Sequence, residues 1–392
     1  MFPLLLSLLA QPALAVDTTT ATATPYLAAA QAEDGHEVSP SWLPNGSHLA
    51  YRLDRPDGSS CAKMVSVDGS APGPVQTVVL PGGAFAAGLT CRVESIGWHP
   101  DGILILSASN QGGPTRLYIT QPGGEDTAAS SELLSIEQAP GQLVSPATAR
   151  SAGHVVAFIA RTGQSADVYA WTPGSDLPTQ VTHTAAVEEA VAVNATGDRI
   201  AFVSATFDQG EHLLLYDLEL AGDETSDADE GSKKKKKKKK KASEEASEEV
   251  VRIAGASERA RIRLTGDVAR PTWAGGDVLF FMEWEERWQM RRLTSELSSE
   301  TVFDDLELPQ NAPPAVTADG QWAAWTRQNS DAVYFGNRDR SKLIEVHTGL
   351  EGLTDPALVR LDARTLAAFS AYGEGGSFRG LYIMDVTAAL GE

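Results

Sequence analysis

A unit of strand, tight turn and strand returns along this chain, and no other feature limits its fold so strongly. The clearest copy is Ser95-Ile-Gly-Trp98-His-Pro-Asp101-Gly102-Ile-Leu-Ile-Leu106. An apolar run ends in Trp98, Pro100 pre-sets φ for the turn, and Gly102 accepts the positive φ that follows. The unit returns at Pro40-Ser-Trp42-Leu-Pro-Asn-Gly46, at Ala190 to Phe202 with Gly197 in the turn, at Pro271-Thr-Trp273-Ala-Gly-Gly276, and at Pro314 to Trp325 with Asp319-Gly320. Weaker copies sit at Pro146 to Phe158, around Gly153, and at Pro356 to Phe369, around Asp362. The turn glycines 46, 102, 153, 197, 276 and 320 recur at intervals of 44 to 56 residues, except for 79 between Gly197 and Gly276.

Later parts of each copy supply a third strand (Leu117-Tyr118, Val168-Tyr169, Leu215-Tyr216, Val333-Tyr334, Leu381-Tyr382). Most supply a fourth: Gln76 to Leu80, Glu132 to Ile136, Gln180 to His183, Arg261 to Thr265 and Leu343 to His347. A repeat of roughly 40–50 residues made of short strands is the signature of β-propeller blades. Residues 37–392 are therefore expected to form an all-β propeller of four-stranded blades. Seven blades are expected, and six remain open because the copies at Gly153 and Asp362 are poor.

The Trp-x-Pro-(Asp/Asn)-Gly turn and the strand after it, at Trp42 to Tyr51 and Trp98 to Leu106, resemble the WD40-like (PD40) repeat of the TolB propeller. The same repeat occurs in the propeller lobe of prolyl-oligopeptidase-type enzymes. The resemblance covers nearly all of the mature chain, but too few residues precede the first copy to form the α/β domain that TolB carries there. It implies a non-catalytic, exported scaffold that binds an unidentified protein of the cell envelope.

Met1 to Ala15 has an apolar core followed by Ala13-x-Ala15, the pattern of a signal-peptidase site, although no Lys or Arg precedes the core. Export is expected, to the periplasm or beyond, with no transmembrane span. Residues 16–36 form a leader in which Thr18 to Leu27 alternates enough to serve as a ring-closing strand that protects an open edge. The net charge of −20 over 392 residues argues against a nucleic-acid partner. A monomer is expected.

Cys61 and Cys91 are the only cysteines, and in an exported chain they suggest one disulfide stapling adjacent blades. Residues 221–249 hold nine lysines, Lys233 to Lys241, between acidic flanks that cancel them. With nothing apolar to bury, this insertion reads as a disordered surface loop after Tyr216-Asp217, pointing outward. Phe280 to Arg292 reads as a hairpin that packs Trp284 against Trp288 across its strands.

Catalytic signals are thin. There is no G-x-S-x-G elbow and no H-E-x-x-H, and Gly375-Gly-Ser377-Phe-Arg-Gly380 has the wrong spacing for a nucleophile turn. No catalytic residue, cofactor or metal ligand is therefore expected. His48, His99 and His154 lie beside repeat turns, which suggests surface positions. Asp101 and Asp319 read as turn formers. Trp42, Gly46, Trp98, Asp101, Gly102, Gly153, Gly197, Trp273, Gly276, Asp319 and Gly320 are expected to be structural. Two other readings stay open: a channel-mouth module for a small ligand, glycan or metal ion, and a propeller-type hydrolase or lyase.

Overall fold

In the computed structural model, thirty strands and one short helix, Thr387–Leu390, account for the regular structure. The structure describes residues 17–28, 34–68, 71–81, 91–110, 112–123, 127–135, 137–139, 141–148, 155–173, 175–206, 210–222, 251–263, 267–275, 278–284, 288–294, 296–306, 314–373 and 375–392.

The strands hydrogen-bond into six sheets. The first is His36–Trp42, His48–Asp54, Ser60–Asp68 and Ala71–Val79, with Thr127–Ala129 added in parallel at its outer edge. The second is Cys91–Trp98, Leu104–Asn110, Arg116–Thr120 and Ser131–Glu132. The third has eight strands. Its leading half is Gln142–Thr148, Val156–Thr162, Ser165–Trp171 and Thr179–Gln180, and its trailing half is Val187–Val193, Arg199–Thr206, Gly210–Gly222 and Val251–Arg263. The fourth is Asp267–Ala274, Val278–Trp284, Trp288–Leu293 and Ser299–Leu306. The fifth is Ala315–Val316, Trp322–Thr326, Ala332–Asn337 and Lys342–His347, with Asp17–Thr22 in parallel. The sixth is Glu351–Arg360, Thr365–Tyr372 and Arg379–Asp385, and Tyr26–Leu27 is its fourth strand.

The repeat turns share one geometry. Gly46, Gly102, Gly197 and Gly320 all have φ between 69° and 82°, and each donates its N–H to the residue three before it. Only glycine adopts this backbone at no steric cost. At Gly320 a Cβ would also stand 2.8 Å from the Ala274 side chain, and at Gly46 2.8 Å from Leu361. Each of these turns therefore rests on the turn of the preceding sheet, and for Gly46 the preceding sheet is the last one. Gly153, Gly276 and His154 lie outside the described residues, as do the signal segment 1–15 and all of the insertion beyond Gly222.

Apolar clusters join successive sheets around the whole ring. Met64 packs with Leu104, Leu117 with Phe158, and Phe202 with Val168. Leu213 packs with Phe281, Met290 with Trp325, and Phe335 with Phe369. Leu381 then packs with Leu49, which brings the sixth sheet back to the first. Strands buried on both faces explain the runs Leu104 to Leu106 and Phe280 to Met282, which do not alternate.

Two strand expectations need adjustment. The hairpin of residues 210–263 is longer than a blade needs. Its far end lies over the leading half of the third sheet, where Thr172 Oγ1 donates to Val251 O at 2.7 Å and Thr179 Oγ1 to Ile253 O at 3.3 Å. The strands at the base of the insertion thus pack onto the ring through Leu220 and Ile253, and residues 223–249, expected to point outward, lie outside the described residues. The fourth strand expected at Glu132 to Ile136 shrinks to Ser131–Glu132, because the Arg116 guanidinium donates to the carbonyls of Leu134, Ala139 and Gly141 and holds that segment in a loop.

Candidate functional site

Three hollows are candidates, and they divide between the two ends of the strands. In the first sheet Trp42 pairs with Leu49 at one end and His36 with Asp54 at the other. Two hollows lie at the end marked by the repeat tryptophans.

The first of these, of about 320 Å³, sits where five inner strands or their turns converge: Pro40 and Trp42, Trp98, Thr272, Pro314 and Pro356 line it, with Arg360 beside them. Its wall is rich in proline because the inner strands carry X-Pro pairs at bulges. Ser39 and Asp355, each preceding a proline, have φ of 53° and 51°, and the register slips at both points. Trp42 is 8% exposed and its buried indole N–H has no acceptor, whereas the Trp98 indole donates to Ser41 O at 2.8 Å. Arg360 pairs with Asp319 at 2.7 Å and with Glu392 at 3.1 Å.

The second hollow, of about 410 Å³, is lined by Arg199, Arg259, Arg292 and Arg338, by Glu300, and by an apolar wall that includes Trp273. Thr272 and Trp273 are consecutive in one strand, so their side chains leave it on opposite sides and serve the two hollows separately. The third hollow, of about 700 Å³ at the other strand ends, is polar; Arg52 pairs there with Asp54, and Arg92, Glu94 and Arg161 surround it.

The residues singled out from sequence are mostly structural here. Trp42, Trp98 and Trp273 are buried. Asp319 accepts from Thr317 Oγ1 and the Gln321 N–H, as a turn former should, and adds Arg360 as a partner. Asp101 faces His99 at 3.3 Å. His99, expected at the surface, is 5% exposed: the turn folds its ring back under Asp101, whose N–H it meets at 3.3 Å. His48 is half-buried against Trp98, and burial holds its pKa below the ordinary value. Cys61 and Cys91, expected as a disulfide, are free, buried thiols. Burial pushes both up, Cys91 to about 12, so neither supplies the thiolate that exchange chemistry needs. Among the described residues no group of three or more His, Cys, Asp or Glu is placed to hold a metal ion.

The four arginines of the second hollow were not foreseen. They come from three repeat copies, Arg199 and Arg259 sharing one, and stand in no motif; only the alignment of copies against one another would have drawn them together.

No protein-family model and no curated protein sequence matches the chain. Among solved structures it is similar to a puromycin-hydrolysing peptidase of Mycobacterium tuberculosis (12% identity, TM-score 0.61, covering 95% of this chain and 55% of that one). It is also similar to the WD40 domain of Toxoplasma gondii coronin (10%, 0.56, 94% and 89%) and to TolB from Acinetobacter baumannii (12%, 0.47, 87% and 64%). The chain thus spans less than two thirds of the TolB and peptidase chains it matches. With the ring of sheets and the glycine turns, the likeness to the WD40 domain defines the class: this is an all-β β-propeller. No described helix is long and apolar enough to cross a membrane.

Proposed function

We propose that the chain is a non-catalytic, exported propeller scaffold that docks a protein of the cell envelope at the end of the ring marked by the repeat tryptophans. One observation carries this reading: the inner strands converge there on a proline-rich hollow walled by the repeat tryptophans Trp42 and Trp98. A hollow of about 320 Å³ is at the small end of ligand pockets. It suits a short segment of a partner chain. Export is supported by the Ala13-x-Ala15 pattern.

The ring is best counted as seven blades. The two halves of the eight-stranded sheet meet in one parallel pair, Ala166 with Val187, and pack face to face through Val168 and Phe202 as separate blades do. Tyr26–Leu27 then closes the seventh.

The histidines support a non-catalytic reading. His347 is engaged with Asp331 and Glu345 at the surface, His36 accepts from the Arg379 N–H, and Ser47 Oγ meets His48 Nδ1 at 3.0 Å but donates to Asn45 Oδ1 at 2.7 Å within its own turn.

The test is site-specific photocrosslinking in envelope extracts, with the probe at Pro314 in the hollow or at exposed Leu177 as control. The expected result is one envelope protein captured from Pro314, not from Leu177, and lost on Trp42→Phe. Equal labelling from both positions overturns the reading.

A further inference from the structure

We propose that the four-arginine hollow beside the axis is a binding site for a small phosphomonoester that carries an apolar or aromatic group. The site is independent of the docking role above.

Arg199 and Arg259 share Asp217, at 3.5 and 3.3 Å, and Arg292 pairs with Glu300. Arg338, half-buried at the same rim, has no hydrogen-bond or ion-pair partner for its guanidinium among the described residues. Four guanidiniums thus line one hollow, on a protein whose net charge is −20. A basic cluster on so acidic a chain is the reverse of what solubility alone requires.

A second observation points the same way. Trp273 lines this hollow, is 4% exposed, and its buried indole N–H has no acceptor. A buried donor without a partner costs about 1–3 kcal/mol, and no described residue supplies its acceptor.

Together these groups describe the ligand. Arg199, Arg259, Arg292 and Arg338 reach this one hollow from four different strands or turns. A phosphomonoester places close to two negative charges and three acceptor oxygens on a single atom, and guanidinium forks match it bidentately. Leu215, Val278, Leu293 and the Trp273 ring leave an apolar wall for the rest of the molecule. A volume of about 410 Å³ has room for one ring and its phosphate.

The test is calorimetric titration of the full chain with phenyl phosphate, inorganic phosphate, benzylmalonate and benzyl alcohol. Phenyl phosphate is expected to bind at least 10-fold more tightly than each of the others. Arg338→Met, which breaks no contact of the fold, is expected to weaken it at least 10-fold. Trp273→Phe, which removes the indole donor, is expected to weaken it several-fold. Absence of heat up to millimolar phenyl phosphate overturns the site. So does an affinity that neither substitution alters. Benzylmalonate or inorganic phosphate binding as tightly as phenyl phosphate overturns the assignment to an organic phosphomonoester.

Discussion

Two joints in this ring do the same job by different means. In the middle of the third sheet the chain runs on from one half to the other, and the halves are held by an apolar cluster, Ile159 and Val168 against Val193 and Phe202, with the long hairpin of residues 210–263 laid across them. Where the sixth sheet meets the first, the chain crosses only through the short N-terminal strand Tyr26–Leu27, and the three longer strands of the sixth sheet have no link to the first. An apolar cluster is present there too, but polar groups fix the register: the Leu381 N–H donates to Glu37 Oε2 at 2.9 Å, the Ser39 N–H to Asp355 Oδ2 at 3.3 Å, and the Arg379 N–H to His36 Nδ1 at 3.1 Å. Apolar contact is non-directional, so it tolerates sliding. In the first joint residues 172–186 join the longer strands themselves and limit sliding. In the second, directed bonds to particular backbone donors hold those strands.

The largest effect on this contrast comes from the N-terminal strands. Tyr26–Leu27 pairs with the strand of Ile383 and Tyr382, the Ala28 N–H donates to Leu381 O at 2.8 Å, and Tyr26 packs on the closing cluster. Deleting residues 17–27 is expected to cost about 3–5 kcal/mol, from one large side chain and several backbone bonds, and to lower Tm accordingly. Deleting only residues 17–22 removes the edge strand on the fifth sheet and leaves the closure, so its cost is expected to be clearly smaller. Equal Tm values for the two deletions, measured by calorimetry, refute the claim that Tyr26–Leu27 is the closing strand.

The continuous joint is broken most cleanly at its strap. Thr172 is fully buried and its hydroxyl donates to Val251 O. Thr172→Val keeps the shape and is expected to cost about 1 kcal/mol. Hydrogen exchange is expected to speed up at the far end of the 210–263 hairpin and not at Leu381. Faster exchange at both places would mean that the two joints are coupled through the ring.

How legible all this was follows from where each signal lies. The turn glycines and tryptophans repeat because every sheet needs the same backbone at the same place, so the propeller and the hairpin of Trp284 and Trp288 could be read directly. Pairing partners at the ends could not. Thr18 to Leu27 looks like one strand, but it divides between the fifth and sixth sheets, a choice made by tertiary neighbours. His99 looked exposed because turns usually are, and only the fold of its own turn buries it. The arginine hollow left no trace, since Arg199, Arg259, Arg292 and Arg338 are each ordinary surface residues until three copies are laid side by side.

The smallest effect concerns Glu37, which is 1% exposed at the closing joint. Burial pushes its carboxyl above the ordinary range, against the opposing pull of the Leu381 N–H. The folded protein therefore holds this proton more tightly than the unfolded chain does. The stabilisation is complete below the ordinary carboxylate pKa and is lost as pH rises through the raised folded value. Glu37→Gln keeps an oxygen for the Leu381 N–H and removes the titration. The expected outcome is a Tm difference, variant minus parent, that is positive near neutral pH and shrinks toward zero on acidification through the ordinary carboxylate range. Working with the difference cancels the groups that shift the other way, such as Asp34 beside Arg55 and Glu258 beside Arg261. A difference that does not vary with pH would mean that Glu37 is not titrating in the joint, and that only its geometry serves the closure.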